Sequence, residues 1–244
     1  MSALAPLPTR KAEDWRYADL AALEKLWPLA EAEAVVVGAG GHHARAIVQT
    51  GGGITRLALT LEAGASAVLH VLNAGGAYGR VELDVTLHEG ADFTLGAVQI
   101  AGSGETAEII ATVRHMEGKA TSRQVVRQAA GGTGTVTCLG KVYVAKGADG
   151  TDGEQSVRAM LLDRTATANA RPELEIHADD VKCAHGCAIG ELDANGLFYM
   201  AARGIAPETA KALMLQGFIA EALEGAEEED HLRALAQQAL EAVL

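Results

Sequence analysis

Between about Val35 and Ile189 the chain repeats one local pattern: short runs of alternating apolar and polar residues, closed by turns built on glycine. Val81, Leu83, Val85 and Leu87 alternate with Glu82, Asp84, Thr86 and His88, which is the period of a half-buried strand. Leu57, Leu59 and Leu61 follow the same rule, as do Ile109, Ala111 and Val113. The turns recur as Glu62-Ala63-Gly64-Ala65, His88-Glu89-Gly90-Ala91, Met116-Glu117-Gly118-Lys119 and Ala145-Lys146-Gly147-Ala148, with their glycines 26, 28 and 29 residues apart. A loose period of this size fits stacked coils of a β-solenoid. An antiparallel sandwich also produces short strands at regular spacing, and the residues leave both open. The 28 glycines and 4% aromatic content suit tightly wound coils without deciding the matter.

The two ends have a different texture. Leu20, Leu23, Leu26 and Leu29 recur every three residues after Trp15 and predict a short helical piece. After Leu192 the spacing becomes helical again: Leu197, Met200 and Ala201 share a face, and Gly204 is placed to stop that helix. Pro207 and Glu208 suit the first turn of a second helix, with Ala210, Leu213, Met214, Gly217 and Phe218 as its stripe. A last helix follows Glu227-Glu228-Glu229-Asp230, with Leu232, Leu235, Ala236 and Ala239 on one side. These stripes fit packing against the end of the solenoid and against each other, or docking of another subunit. The expected division is a helical segment over 1–32, a β core over 33–192 and a helical domain over 193–244.

Twenty Lys and Arg against 32 Asp and Glu give a formal charge of −12, which argues against nucleic acid or an anionic membrane surface as partner. No run approaches the roughly 20 apolar residues of a membrane span, and Met1 to Arg16 lacks the apolar centre of a signal peptide. Cys138, Cys183 and Cys187 are too few and too unevenly spread for a disulfide framework, so a cytoplasmic protein is expected.

The chemistry concentrates in Asp179-Asp180-Val181-Lys182-Cys183-Ala184-His185-Gly186. Residues two apart on an extended segment point to one face, so Cys183 and His185 can present a sulfur and a nitrogen to one metal ion. Such donors suit iron, iron–sulfur chemistry or zinc, but two of them do not close a four-coordinate site. The rival reading is a buried thiol and a hydrogen-bonded histidine at a subunit interface. Val181 and Ile189 share their parity, so burial of this face within the chain, which would raise the thiol pKa, is also open. Cys187 is a candidate third donor if the strand runs straight past Gly186. Cys138 alternates in register with Val136, Val142 and Val144 and reads as a core thiol. His42 and His43, after Gly40-Gly41, read as solvated turn residues, and Gly38-x-Gly40 lacks the remainder of a dinucleotide loop. Ser103 and Ser156 have no nucleophile-elbow context.

The same C-terminal block carries a resemblance. Asp179 to Gly186, then Ile189-Gly190-Glu191-Leu192-Asp193, Leu197-Phe198-Tyr199, Arg203-Gly204-Ile205 and the helix ending Gly217-Phe218 resemble the C-terminal signature of the SufB/SufD family of the SUF iron–sulfur cluster assembly system. Pro8-Thr9-Arg10-Lys11 and Glu13-Asp14-Trp15-Arg16-Tyr17-Ala18-Asp19-Leu20 resemble that family's N-terminal segment. The resemblance implies a right-handed parallel β-helix between helical ends. It implies a heterodimer with a SufB-like subunit and docking of a SufC-like ATPase on the C-terminal helices around Leu213, Met214, Gly217 and Phe218, and it leaves open a homodimer when SufB is absent. It implies an iron–sulfur cluster or iron, transient and shared with SufB rather than held tightly by this chain alone, with Cys183 and His185 as the donors from this side. The chain departs from the family in its shorter helical region before the β-helix, and in Cys187, where a small non-thiol residue is expected. A β-solenoid enzyme, an acyltransferase or polysaccharide lyase, is the alternative. It would call for a six-residue aliphatic repeat or for paired carboxylates and aromatic platforms, none of which is evident.

Overall fold

The computed structural model describes residues 6–244, so the first five residues of the expected N-terminal segment lie outside it. Twelve strands follow one another: β1 (Glu33–Val37), β2 (His42–Gln49), β3 (Gly53–Leu61), β4 (Ser66–Ala74), β5 (Tyr78–Leu87), β6 (Asp92–Ala101), β7 (Thr106–His115), β8 (Thr121–Ala130), β9 (Thr135–Val144), β10 (Asp152–Leu161), β11 (Thr167–Ile176) and β12 (Lys182–Gly190). Odd strands form one six-stranded sheet in the order β1-β3-β5-β7-β9-β11, and even strands form the other, β12-β10-β8-β6-β4-β2. The pairings within both sheets are parallel and connect every second strand, which excludes the sandwich and makes this a parallel β-solenoid.

Side chains of one parity point into the lumen between the sheets, and register stacks like on like. Leu57, Leu83 and Ala111 form one inward row and Leu59, Val85 and Val113 another, all buried. The turns stack as well. Gly40, Gly64, Gly90, Lys119 and Gly150 all adopt positive φ, near 60 to 76°, and the amide of each donates to a carbonyl in the turn of the next coil. The fourth of these positions falls on Lys119, not on Gly118, so a non-glycine residue takes the left-handed conformation there. The period is loose because the coils lengthen: His42 pairs with Ser66, Ser66 with Asp92, Asp92 with Thr121 and Thr121 with Asp152, steps of 24, 26, 29 and 31 residues. The strands stay at about ten residues, so the additions go into the turns. At one corner an amide ladder bridges the sheets: Gln49, Asn73, Gln99 and Gln128 lie in register on successive coils, and Asn73 and Gln99 donate to backbone carbonyls of the opposite wall. His42 opens β2 and bonds Ser66 Oγ, while His43 is half-buried; neither sits in a solvated turn.

The N-terminal segment is less helical than its leucines predict. A single 3₁₀ turn (Glu13–Trp15) precedes α1 (Leu20–Glu24), capped by the Asp19 carboxylate, and the chain then runs irregularly. Only Leu23 is fully buried and Leu26 is exposed, because a five-residue helix presents too little face to order four leucines. The segment lies across the outer face of the odd-strand sheet, where the Trp15 ring stacks 3.8 Å from the Arg80 guanidinium. Arg80 also donates to the Asp14 carbonyl and pairs with the buried Glu108 carboxylate at 2.7 Å.

Three C-terminal helices, α2 (Ala194–Ala202), α3 (Pro207–Ala220) and α4 (Glu229–Glu241), complete the chain. Asp193 caps α2, Gly204 at φ +80° ends it, and Pro207 opens α3, as the sequence predicts. They fold back on the outer face of the even-strand sheet rather than over the solenoid end: Leu72, Val98, Ile100 and Ala129 meet Leu215, Ile219, Leu223, Leu232, Ala236 and Leu240. The buried stripe of α3 is therefore Ala210, Leu215 and Ile219, rotated from the expected one; Leu213 and Gly217 face solvent. The turn after α3 comes so close to β6 that a Cβ on Gly96 would collide with the Ala222 carbonyl oxygen. Gly96→Ala is expected to cost about 1–3 kcal/mol and to expose the C-terminal helices to protease, read by denaturant unfolding and limited proteolysis. Burial holds the lumenal His115, bonded through Nε2 to Ser122, down to about pKa 4. The unfolded chain takes up that proton near pH 6.5, so stability is complete above pH 6.5 and falls by about 3 kcal/mol as the pH drops to 4. Urea unfolding of the native chain and of His115→Gln across that window tests this.

Candidate functional site

β12 is the last strand of its sheet, bonded to β10 on one side and to no strand on the other. It runs unbroken through Gly186. Its register sets Cys183 beside Gly153, His185 beside Gln155 and Cys187 beside Val157. Gln155 and Val157 are lumenal and buried, and Cys183 Sγ lies 3.4 Å from where a Cβ on Gly153 would stand. The three donors thus share the inward parity. No strand follows β12, so they sit at the open mouth of the lumen: Cys183 is half-buried, while His185 and Cys187 are exposed. Ile189, of the same parity, is 47% exposed, so the chain itself does not bury this face.

Burial pushes the Cys183 thiol up; a hydrogen bond from the Gly153 backbone opposes this and the nearby Asp152 carboxylate adds to it. Burial raises Cys187 as well. Cys138 lies deeper on the opposite wall, 1% exposed, and is pushed to about 12 by burial, with a smaller contribution from Cys187. All three are therefore thiols, not thiolates, near neutral pH. Along β12 the donors are two residues apart, roughly 6.6 Å from one to the next, and among the described residues no three His, Cys, Asp or Glu converge closely enough to hold an ion. A ligand reaching Cys183 and His185 would need its remaining donors from across the mouth.

One element of the site was not read from sequence. The row leading to His185 runs Leu69, Leu95, Gln124, Gln155, so the lumen changes from aliphatic to amide as it nears the mouth. Gln155 Nε2 donates to Gln124 Oε1 at 3.1 Å. Glutamines at the parity of core valines, Gln124 with Val126 and Gln155 with Val157, are the signal that could have revealed it.

The C-terminal residues singled out for docking are divided. Leu213 and Gly217 are exposed, Met214 rests against Gly196 of α2, and Phe218 is half-buried near Arg127, which pairs with Glu221 at 2.6 Å. Phe198 and Tyr199 of α2 are 77% and 59% exposed. On the opposite side a groove of about 430 Å³ crosses the odd-strand sheet. Its charged side chains are mutually paired, Arg171 with Glu173 and Lys141 with Glu175, while Arg114 pairs with Asp84.

Fold and site together define a parallel β-solenoid that presents thiol and imidazole donors on its terminal strand and a helical module on its flank. A family described as "SUF system FeS cluster assembly, SufBD core domain" matches residues 31–218. The iron–sulfur cluster assembly protein SufD of Escherichia coli is 30% identical over 172 residues, covering 70% of this chain and 41% of that protein. SufD of Bacillus subtilis is 31% identical over 124 residues, 50% of this chain and 28% of that protein. The chloroplastic protein ABCI7 of Arabidopsis thaliana is 46% identical over 85 residues, 35% of this chain and 18% of that protein. The chain thus spans less than half the length of each of these relatives. It belongs to the SufB/SufD family, as a SufD-like member. No helix among the described residues is long and apolar enough to cross a membrane.

In the native chain iodoacetamide at neutral pH is expected to label Cys183 and Cys187 slowly and to leave Cys138 untouched until denaturant is added, as read by mass spectrometry. Native labelling of Cys138 at a comparable rate would contradict the buried lumenal position.

Proposed function

We propose that this chain is a non-catalytic, cytoplasmic scaffold that closes its open end against a SufB-like subunit and carries a SufC-like ATPase on its helical flank. The observation that supports this most is the state of β12: one backbone edge free and two donors, Cys183 and His185, facing out of a mouth that no further coil covers. A second solenoid abutting that edge would pair its hydrogen-bonding groups and supply the missing donors. The nascent cluster or its iron is cargo, held transiently between the two subunits, with Cys187 as an additional thiol at the rim. When no SufB is present, a second copy of this chain meets the same edge. Residues 193–244 act as the docking unit, with Leu213 and Gly217 and the exposed Phe198 and Tyr199 meeting the ATPase. Met214 and Phe218 contribute from beneath that surface by holding α3 in place. Hydrolysis of ATP belongs to the partner.

Anaerobic co-expression with SufB and SufC partners tests this reading. Cys183→Ala and His185→Ala are expected to leave the three-subunit complex intact and to lower its cluster content severalfold, measured as iron and acid-labile sulfide per complex. Failure of the wild-type chain to copurify with either partner under reducing conditions would overturn the scaffold assignment. Unchanged cluster content in both variants would reduce Cys183 and His185 to a structural pair.

A further inference from the structure

We infer that Gln155 is a positioning residue for His185: its side-chain carbonyl accepts the ring N–H that faces the lumen and so turns the unprotonated nitrogen outward. This deepens the reading of His185 as a donor and rests on it for its purpose, though not for its geometry.

The two residues are register partners on adjacent parallel strands, with the same inward parity. Gln155 is 1% exposed, and its amide nitrogen is already committed to Gln124 Oε1. Its carbonyl oxygen, Oε1, is buried without a hydrogen-bond donor. A buried carbonyl left unpaired forfeits its hydrogen bond to water, which makes a donor from the next coil favourable. The imidazole of His185 is the group the register brings there. The lumen is shaped for the amide: Gly140, on the facing wall, has no side chain, and a Cβ there would collide with Gln155 Nε2. The Gln124–Gln155 bond holds the amide with its oxygen free for the next row.

The chemical consequence concerns the tautomer. A neutral imidazole has one N–H and one lone pair, and whichever nitrogen is hydrogen-bonded as donor leaves the other as the ligating atom. Histidines that bind metals usually donate their second ring nitrogen to an acceptor of this kind, which fixes ring orientation and raises basicity. Gln155 supplies that acceptor from within this chain, before any partner or cargo arrives.

The test reads the ring nitrogens of His185 by ¹⁵N NMR on the full, metal-free chain at a pH where the ring is neutral. In the wild type the nitrogen facing Gln155 carries the proton. In Gln155→Leu, which fits a row already holding Leu69 and Leu95, the ratio of tautomers should shift by roughly fivefold toward the other nitrogen. Gln155→Glu, which keeps an acceptor, should restore the wild-type ratio. Should the leucine variant not fold, Gln155→Met keeps the side-chain length without the acceptor and serves in its place. An unchanged ratio without the acceptor, or a proton on the outward nitrogen in the wild type, overturns the inference. So does a shift that the glutamate variant fails to reverse. The outcome is separable from the donor assignment. A tautomer that responds while cluster content ignores His185→Ala leaves the hydrogen bond and removes the ligand. A cluster that depends on His185 with an indifferent tautomer does the reverse.

Discussion

The architecture depends on backbone hydrogen bonds between parallel strands that lie in register from one coil to the next. Each interior strand has its N–H and C=O groups met on both sides by its neighbours two strands away, so each interior strand leans on the coils above and below it. Register does the rest: it stacks Leu59 on Val85 on Val113, glycine turn on glycine turn, and amide on amide at the corner. The same rule leaves β1 and β2 at one end, and β11 and β12 at the other, with one unsatisfied edge each. The donors at β12 owe their accessibility to that and not to any special loop. Where the stacking ends, the inward row becomes outward-facing chemistry.

The two outer faces are covered by different physics. The even-strand sheet is sealed by an apolar layer from α3 and α4, locked where Gly96 admits the Ala222 backbone, where His70 Nε2 meets the Glu224 carbonyl, and where Arg127 grips Glu221. Burial lowers the His70 pKa, so that ring sits neutral beneath the turn, although the Glu224 carbonyl and the Glu229 charge oppose the shift. The odd-strand sheet is crossed by a short N-terminal strap held by one stacked arginine, Arg80, whose charge is met by Glu82 and Glu108. The helical module is thus joined to the solenoid by a broad apolar area, and the strap by a few polar contacts together with the buried Ala18 and Leu23.

Much of the solenoid was legible because parity is local. Val81 to Leu87 show their buried face in the sequence itself, as does Cys138 among its valines. Parity names the face but not the strand that comes next to it, which is why sandwich and solenoid were inseparable until the parallel register was seen. The turn glycines were legible as a period, yet Gly118 misled: coil lengthening moves the left-handed position to Lys119. The leucines near the N-terminus outnumber the face a five-residue helix offers, and the apolar residues of α3 lie on more than one side of it, so spacing does not fix which side meets the sheet. The shared face of Cys183 and His185 is legible from their spacing, and the open mouth is not, since it depends on which strand, if any, pairs beyond β12. Gln155 was visible as a letter but carried no meaning until its row was known.

The change of lumen from leucine and valine to glutamine, serine and thiol has a consequence for how firmly each coil is held. Coils around β4 to β7 are lined by buried leucine, valine and phenylalanine, whereas β12 leaves its inward row half-buried at Cys183 and exposed beyond it. The strand that closes the solenoid is therefore held with less buried apolar area than the strands behind it. The rung with the least burial thus lies at the rim, and the well-buried rungs lie behind it.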